Sequence, residues 1–220
     1  MGRSEAKRGY DDACGTAHGL ELIGERWSLL VLRELMLGPR RFSELRGDLP
    51  GISANVLTQR LTELEAKGLV RRRRLPPPAS VQVYEATEWG LEAEPIVQTL
   101  GRWAARSPRH DPTLPISGVS ILLSMRTMID LTRAQDLDAR IDFRFGDDRY
   151  TSHLHSGGID IARGEHPSPD LSITADPQAL AAVMYGKAPS DLIQWSGDRA
   201  LLDRFIDLFH LPEKAAVPDH

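Results

Sequence analysis

Cysteine occurs once in the 220 residues, at Cys14, which excludes an internal disulfide and any zinc site of the CxxC kind. No apolar run approaches the roughly 18 residues that a membrane helix needs. The charged stretch from Met1 to Asp12 lacks the apolar centre of a secretion signal, so the chain is expected in the cytoplasm, without a membrane partner. A Gly-x-Ser-x-Gly elbow, a glycine loop that cradles phosphate and a His-Glu-x-x-His helix are all missing. Catalysis therefore has no support in the sequence, and no cofactor or metal is expected. There are no internal repeats and no low-complexity tracts.

What the chain does have is an uneven spread of charge. The net charge of −4 conceals a first half, residues 1–110, with 17 Lys and Arg against 14 Asp and Glu, and a second half with 10 against 17. Arg40 to Arg74 alone holds nine basic and four acidic residues. The halves are thus expected to face different partners, with positive charge gathered where it could meet a polyanion. A hydrophobic content of 41% is ordinary for a soluble protein and leaves room for a core in each half.

In the first half Leu20, Ile23, Trp27, Leu30, Val31 and Leu35 recur at three- and four-residue steps, the spacing of helices with one buried face, and Gly24 suggests a break between two of them. Gly38-Pro39 ends that segment, and Ser43 to Leu49 predicts a short third helix. Ser53 is an N-cap for a fourth, which runs to Lys67 and stops at Gly68. With Leu57, Leu61 and Leu64 on the core side, an advance of about 100° per residue puts Asn55, Gln59 and Thr62 opposite, with Thr58 and Arg60 on the flanks. Leu69 to Leu75 and Val81 to Ala86 predict a hairpin around Pro76-Pro77-Pro78, which cannot pair. Thr87 opens another helix with Leu91, Ile96, Val97, Leu100 and Trp103 as its apolar stripe, ending near Arg106, and Pro95 can kink or delay it.

Short helix, turn, polar-faced helix and basic hairpin, in that order, outline a winged helix that grips double-stranded DNA. Ser53, Asn55, Thr58 and Gln59 are expected to face the groove, since Asn and Gln offer paired donor and acceptor geometry to adenine. Arg40, Arg41, Arg60 and some of Arg71, Arg72, Arg73 and Arg74 are expected to neutralise phosphates or enter the minor groove. The competing reading of the arginine run is a solvated strand edge.

Cys14-Gly15, Gly24-Glu25-Arg26-Trp27, Leu30-Val31-Leu32-Arg33-Glu34-Leu35, Arg41-Phe42-Ser43-Glu44-Leu45, and Ile52-Ser53 through Leu57-Thr58-Gln59-Arg60-Leu61 to Gly68-Leu69-Val70 together resemble the HxlR family of bacterial transcriptional regulators. The resemblance covers roughly Cys14 to Trp103. Arg26 departs from it, standing where the family commonly has lysine before the tryptophan. It implies a homodimer joined by the N-terminal and last helices, with two recognition helices meeting successive major grooves of a palindromic operator. It also implies a sensing role for Cys14, because in several such regulators a cysteine at the matching position responds to electrophiles or oxidants. The residues themselves leave that open: Asp11 and Asp12 favour the thiol, whereas Arg8 and a following helix N-terminus favour the thiolate.

Ser107 to Pro115, with three prolines in nine residues and no periodicity, is expected to be a linker. The expected organisation is a DNA-binding and dimerisation domain over 1–106, the linker over 107–115 and a second domain over 116–220. Beyond the linker come an apolar helix from about Val119 to Leu131 and alternating stretches at Ile141-Phe143-Phe145, Ile159-Ile161 and Leu171-Ile173. A helix follows from Asp176-Pro177 to Tyr185-Gly186, then a last one capped by Asp198. Pro169 to Asp176, Leu180 with Gly186, Gly197-Asp198 and Leu208-Phe209-His210-Leu211-Pro212 resemble a sterol-carrier-protein type-two domain. The fold class is therefore α+β: an N-terminal winged helix-turn-helix domain and a C-terminal sheet covered by helices.

That second resemblance implies an apolar tunnel and an apolar small-molecule effector. Met125, Met128, Phe143, Phe145, Leu180, Met184, Trp195, Phe205 and Phe209 are its candidate contacts, or equally a plain core. His153 and His155 alternate with Leu154, a spacing that can bind metal and also suits a surface pair. Against the ligand-responsive regulator stand a lipid or small-molecule carrier and an enzyme that uses the cavity. The run from Arg71 to Arg74 favours the regulator, because a carrier has no need of it.

Overall fold

The computed structural model describes residues 9–216, so Arg8 and His220 lie outside the described residues. The chain divides into two units, Met1–Glu92 and Ala93–His220.

In the first unit the periodic apolar segments become α1 (Gly15–Ile23), α2 (Ser28–Glu34), α3 (Phe42–Asp48) and α4 (Ala54–Ala66). Gly24 ends α1, donating its N–H to Leu20 O at 2.8 Å. Val31, Leu32, Leu45, Leu57, Leu61 and Leu64 are buried and form the centre of the unit. Gly68 stops α4 at φ +74°, a left-handed conformation that glycine adopts without strain. β1 (Val70–Arg74) and β2 (Gln82–Ala86) follow as an antiparallel hairpin, and α5 (Glu88–Leu91) closes the unit. Arg40 joins the hairpin as a minimal third strand: its N–H donates to Tyr84 O at 2.9 Å, and its carbonyl accepts from Tyr84 N at 2.8 Å.

The second unit begins with α6 (Glu94–Ala105), α7 (Gly118–Met128) and α8 (Leu131–Ala134). The single helix expected from Thr87 is in fact α5 and α6, with Pro95 in the first turn of α6, where a missing N–H costs nothing. α6 packs against α7 within the second unit. Glu94 and Arg126 form an ion pair at 2.7 Å, and Arg102 donates to Thr127 O. Its apolar stripe is not buried as expected, since Ile96, Leu100 and Trp103 are exposed.

β3 (Ala139–Phe145), β4 (Asp148–His155), β5 (Gly158–Arg163), β6 (Leu171–Thr174) and β7 (Gln194–Gly197) make one sheet in the order β5-β4-β3-β6-β7. β3 and β6 run parallel, and the other neighbours are antiparallel. α9 (Pro177–Gly186) and α10 (Arg199–Ile206) take the expected caps, with Asp176 accepting from Gln178 N and Asp198 from Ala200 N, each at 2.8 Å. Along β3, Ala139, Ile141, Phe143 and Phe145 are buried while Arg140 and Arg144 are exposed, the alternation of a sheet with one dry face. No helix among the described residues is long and apolar enough to cross a membrane.

Candidate nucleic-acid interface

The leucines of α4 fix which way its other side chains point. Leu57, Leu61 and Leu64 are buried, and Asn55, Thr58, Gln59 and Thr62 are exposed on the opposite side. Ser53 is also exposed, and its hydroxyl caps the helix by accepting from Val56 N at 3.3 Å. Thr58 and Thr62 return their hydroxyls to the helix carbonyls of Ala54 and Thr58, at 2.9 and 3.0 Å. Gln59 donates to Glu63 at 2.9 Å, a pair that a competing base edge can replace. The Asn55 side chain makes no hydrogen bond among the described residues, so both ends of its amide are available to a partner.

Two of the expected phosphate contacts are corrected by the structure. Arg60 is buried, with Nη1 2.6 Å from Glu63 and 3.3 Å from Glu25. Three residues of about 100° place it about 60° from Leu57, beside the Leu64 row rather than on a flank. Arg40 is 3% exposed and paired with Asp48 beneath the wing it helps to form. Both guanidiniums are thus committed to carboxylates inside the unit rather than offered to phosphate. Arg41, by contrast, is exposed and lies 3.7 Å from Glu44.

The wing carries the exposed positive charge, and all four of Arg71, Arg72, Arg73 and Arg74 are exposed. Glu85, on β2, receives Arg71 Nε at 2.5 Å and Arg73 Nε at 2.7 Å. Burial alone would raise its pKa, but hydrogen bonds and charge from Arg73 and Arg71 outweigh that and hold it below the usual carboxylate range. Arg72, Arg73 and Arg74 line a shallow concavity with Ser80 and Gln82. Nothing in the sequence singled out Glu85, because the register that sets it opposite Arg71 starts from Val70 and Ala86, one residue inside the expected first strand. Lys67 was missed as well: its ammonium donates to Glu21 O and Leu22 O at 2.6 and 2.9 Å, tying the end of α4 to the end of α1.

Cys14 is exposed and sits at the N-cap of α1. Its pKa is lowered by the backbone N–H groups of Thr16 and Ala17, then by the Thr16 side chain. Asp12 accepts from Cys14 N at 2.9 Å.

In the second unit Met125, Met128, Phe143, Phe145, Leu180, Met184, Phe205 and Phe209 are all buried. Trp195 is half-buried beneath the Arg199 guanidinium, 5.6 Å from its ring centre. The rings of Phe143 and Phe205 lie 6.0 Å apart and those of Phe205 and Phe209 5.0 Å apart, contacts of a packed aromatic cluster. A surface concavity in this unit is lined by Asp138, Ala139, Asp170, Asp198, Ala200, Leu201 and Arg204, and by none of those nine residues. His153 pairs with Asp138 at 2.9 Å and His155 with Asp160 at 3.3 Å. The described residues contain no group of three or more ligands placed to hold a metal.

A family model described as HxlR-like helix-turn-helix matches residues 22–111. The chain is 44% identical over 94 residues to the HTH-type transcriptional regulator YkvN of Bacillus subtilis (strain 168), covering 41% of this chain and 77% of that protein. This chain belongs to the HxlR family of helix-turn-helix transcriptional regulators. It is also 39% identical over 83 residues to the HTH-type transcriptional regulator YodB from the same bacterium, covering 38% of this chain and 74% of that one. The solved reduced form of YodB from B. subtilis shares 33% identity and has a TM-score of 0.40, with 46% of this chain and all 100% of that one covered. Residues 119–215 match a different model, the alkyl sulfatase C-terminal region.

Proposed function

We propose that this HxlR-family protein acts in the cytoplasm as a homodimeric regulator that reads a palindromic operator with α4 and steadies it with the wing. The observation that carries this is the outward amide face of α4, Asn55 and Gln59, above a row of buried leucines. Ser53, Thr58 and Arg41 extend that face, and the wing arginines supply contacts to phosphate. A second copy is proposed to cover the exposed Ile96, Leu100 and Trp103 of α6, which recur at i, i+4 and i+7 as one stripe.

The second unit is proposed to be an effector module of the sterol-carrier kind, with regulation rather than catalysis as its role. Because its aromatic rings pack against one another, an apolar effector would bind by opening that cluster. It would shift DNA affinity only by its unequal affinity for the two states. A second reading makes Cys14 the sensor, favoured by its exposure and lowered pKa.

A gel shift with the DNA upstream of the protein's own gene tests the first reading. A complex that survives excess unrelated duplex at moderate salt is the expected result. A complex lost to that competitor favours a carrier protein.

A further inference from the structure

The arginine run alternates along a strand, so its members do not share one environment. Arg71 lies opposite Glu85 and Arg73 opposite Val83, on the face where Val83 and Glu85 are buried. Arg72 and Arg74 pair with Tyr84 and Gln82 on the other face. We propose that strand alternation divides the wing arginines, all four exposed, into an outward pair, Arg72 and Arg74, that holds DNA phosphate, and a pair called inward for the buried Val83 and Glu85 on its face, Arg71 and Arg73, half neutralised by Glu85. On this proposal Glu85 sets how strongly the wing grips DNA, which rests on the duplex-binding reading above.

The geometry supports the division. Each inward arginine commits its Nε to a Glu85 oxygen, at 2.5 and 2.7 Å, so two cations and one anion leave one net positive charge. The side chain of Glu85 is 10% exposed, against 67% for Arg71. Solvent therefore screens this anion weakly, and the charge balance keeps the carboxylate ionised at neutral pH. The outward pair has looser ties: Arg72 Nε is 3.9 Å from Glu65, beyond hydrogen-bond reach, and Arg74 Nε donates to the neutral Ser80 carbonyl at 3.2 Å. Arg72 and Arg74 line one concavity with Ser80, Gln82 and Arg73, whose Nε is held by Glu85, and each of the two outward guanidiniums can meet a phosphate of its own.

The salt dependence of binding to a mixed-sequence duplex counts these charges, since the slope of log K against log salt changes by about 0.9 for each phosphate neutralised. Three full-length variants are compared with the unsubstituted protein: R72Q/R74Q, E85Q and R71Q/R73Q/E85Q. The triple variant avoids leaving a lone carboxylate under the wing. Per subunit, the outward double variant should flatten the slope by about two, the inward triple variant by about one, and E85Q should steepen it by about one. Thermal melts establish that each variant is folded; should E85Q not fold, the double and triple variants decide between them. An unchanged slope for E85Q, or an equal loss for the outward and inward variants, overturns the division while leaving DNA binding intact. Salt-independent binding by the unsubstituted protein, or none, overturns the regulator reading and this inference with it.

Discussion

α4 and α6 are both amphipathic, and they face outward with opposite sides. α4 hides Leu57, Leu61 and Leu64 and shows Asn55, Thr58 and Gln59, whereas α6 shows Ile96, Leu100 and Trp103. A surface of amides and hydroxyls beside exposed guanidiniums suits a hydrated polyanion. A stripe with Trp103 70% exposed suits another apolar surface, because large aromatics left in water are what association buries. The same helical period thus prepares one element for a base edge and the other for a protein.

The largest expected effect breaks that comparison on the α6 side. L100E/W103E should shift the protein from dimer to monomer in sedimentation and weaken binding to a two-site operator by about 100-fold or more, as avidity is lost. Both residues are exposed within the chain, so its thermal stability should change little. On α4 the reverse is expected: Leu61→Ala should cost about 2–5 kcal/mol in denaturant unfolding, because it empties a buried site.

Asn55→Ala sharpens the contrast, since the Asn55 side chain is exposed on α4. It should lower affinity for the cognate operator by about 1–3 kcal/mol and leave nonspecific binding and melting temperature unchanged in parallel titrations. Ser53→Ala should cost about 1 kcal/mol of stability, because Val56 N loses its cap. The smallest effect concerns pH. Glu85 has a folded pKa below its unfolded value, so its contribution is complete above the unfolded carboxylate range, near about 4.3. It is lost only as pH falls through the lower folded value, so acid titration of stability should show no step from this group near neutrality.

Much of this was legible in the sequence because period and punctuation agreed. Ser53, Gly68 and three leucines fix α4 and its polar face, and Asp176-Pro177 and Asp198 mark two helices of the second unit. What escaped was set by partners distant in the chain. Arg40 pairs with Asp48 and crosses to Tyr84, and Arg60 reaches Glu25, so two arginines that look like phosphate contacts are buried. The stripe on α6 looked like core because periodicity shows that a face is apolar but not what covers it. β7 escaped too, being four residues, Gln194–Gly197, largely exposed and paired among the described residues with β6 alone.

The outward face of α4 is tested most directly by amide and side-chain NMR shifts of the full-length protein titrated with its operator duplex. The perturbed signals should cluster on Ser53, Asn55, Thr58, Gln59, Arg72 and Arg74. Perturbations confined to residues 118–206, with α4 and the wing silent, would contradict it.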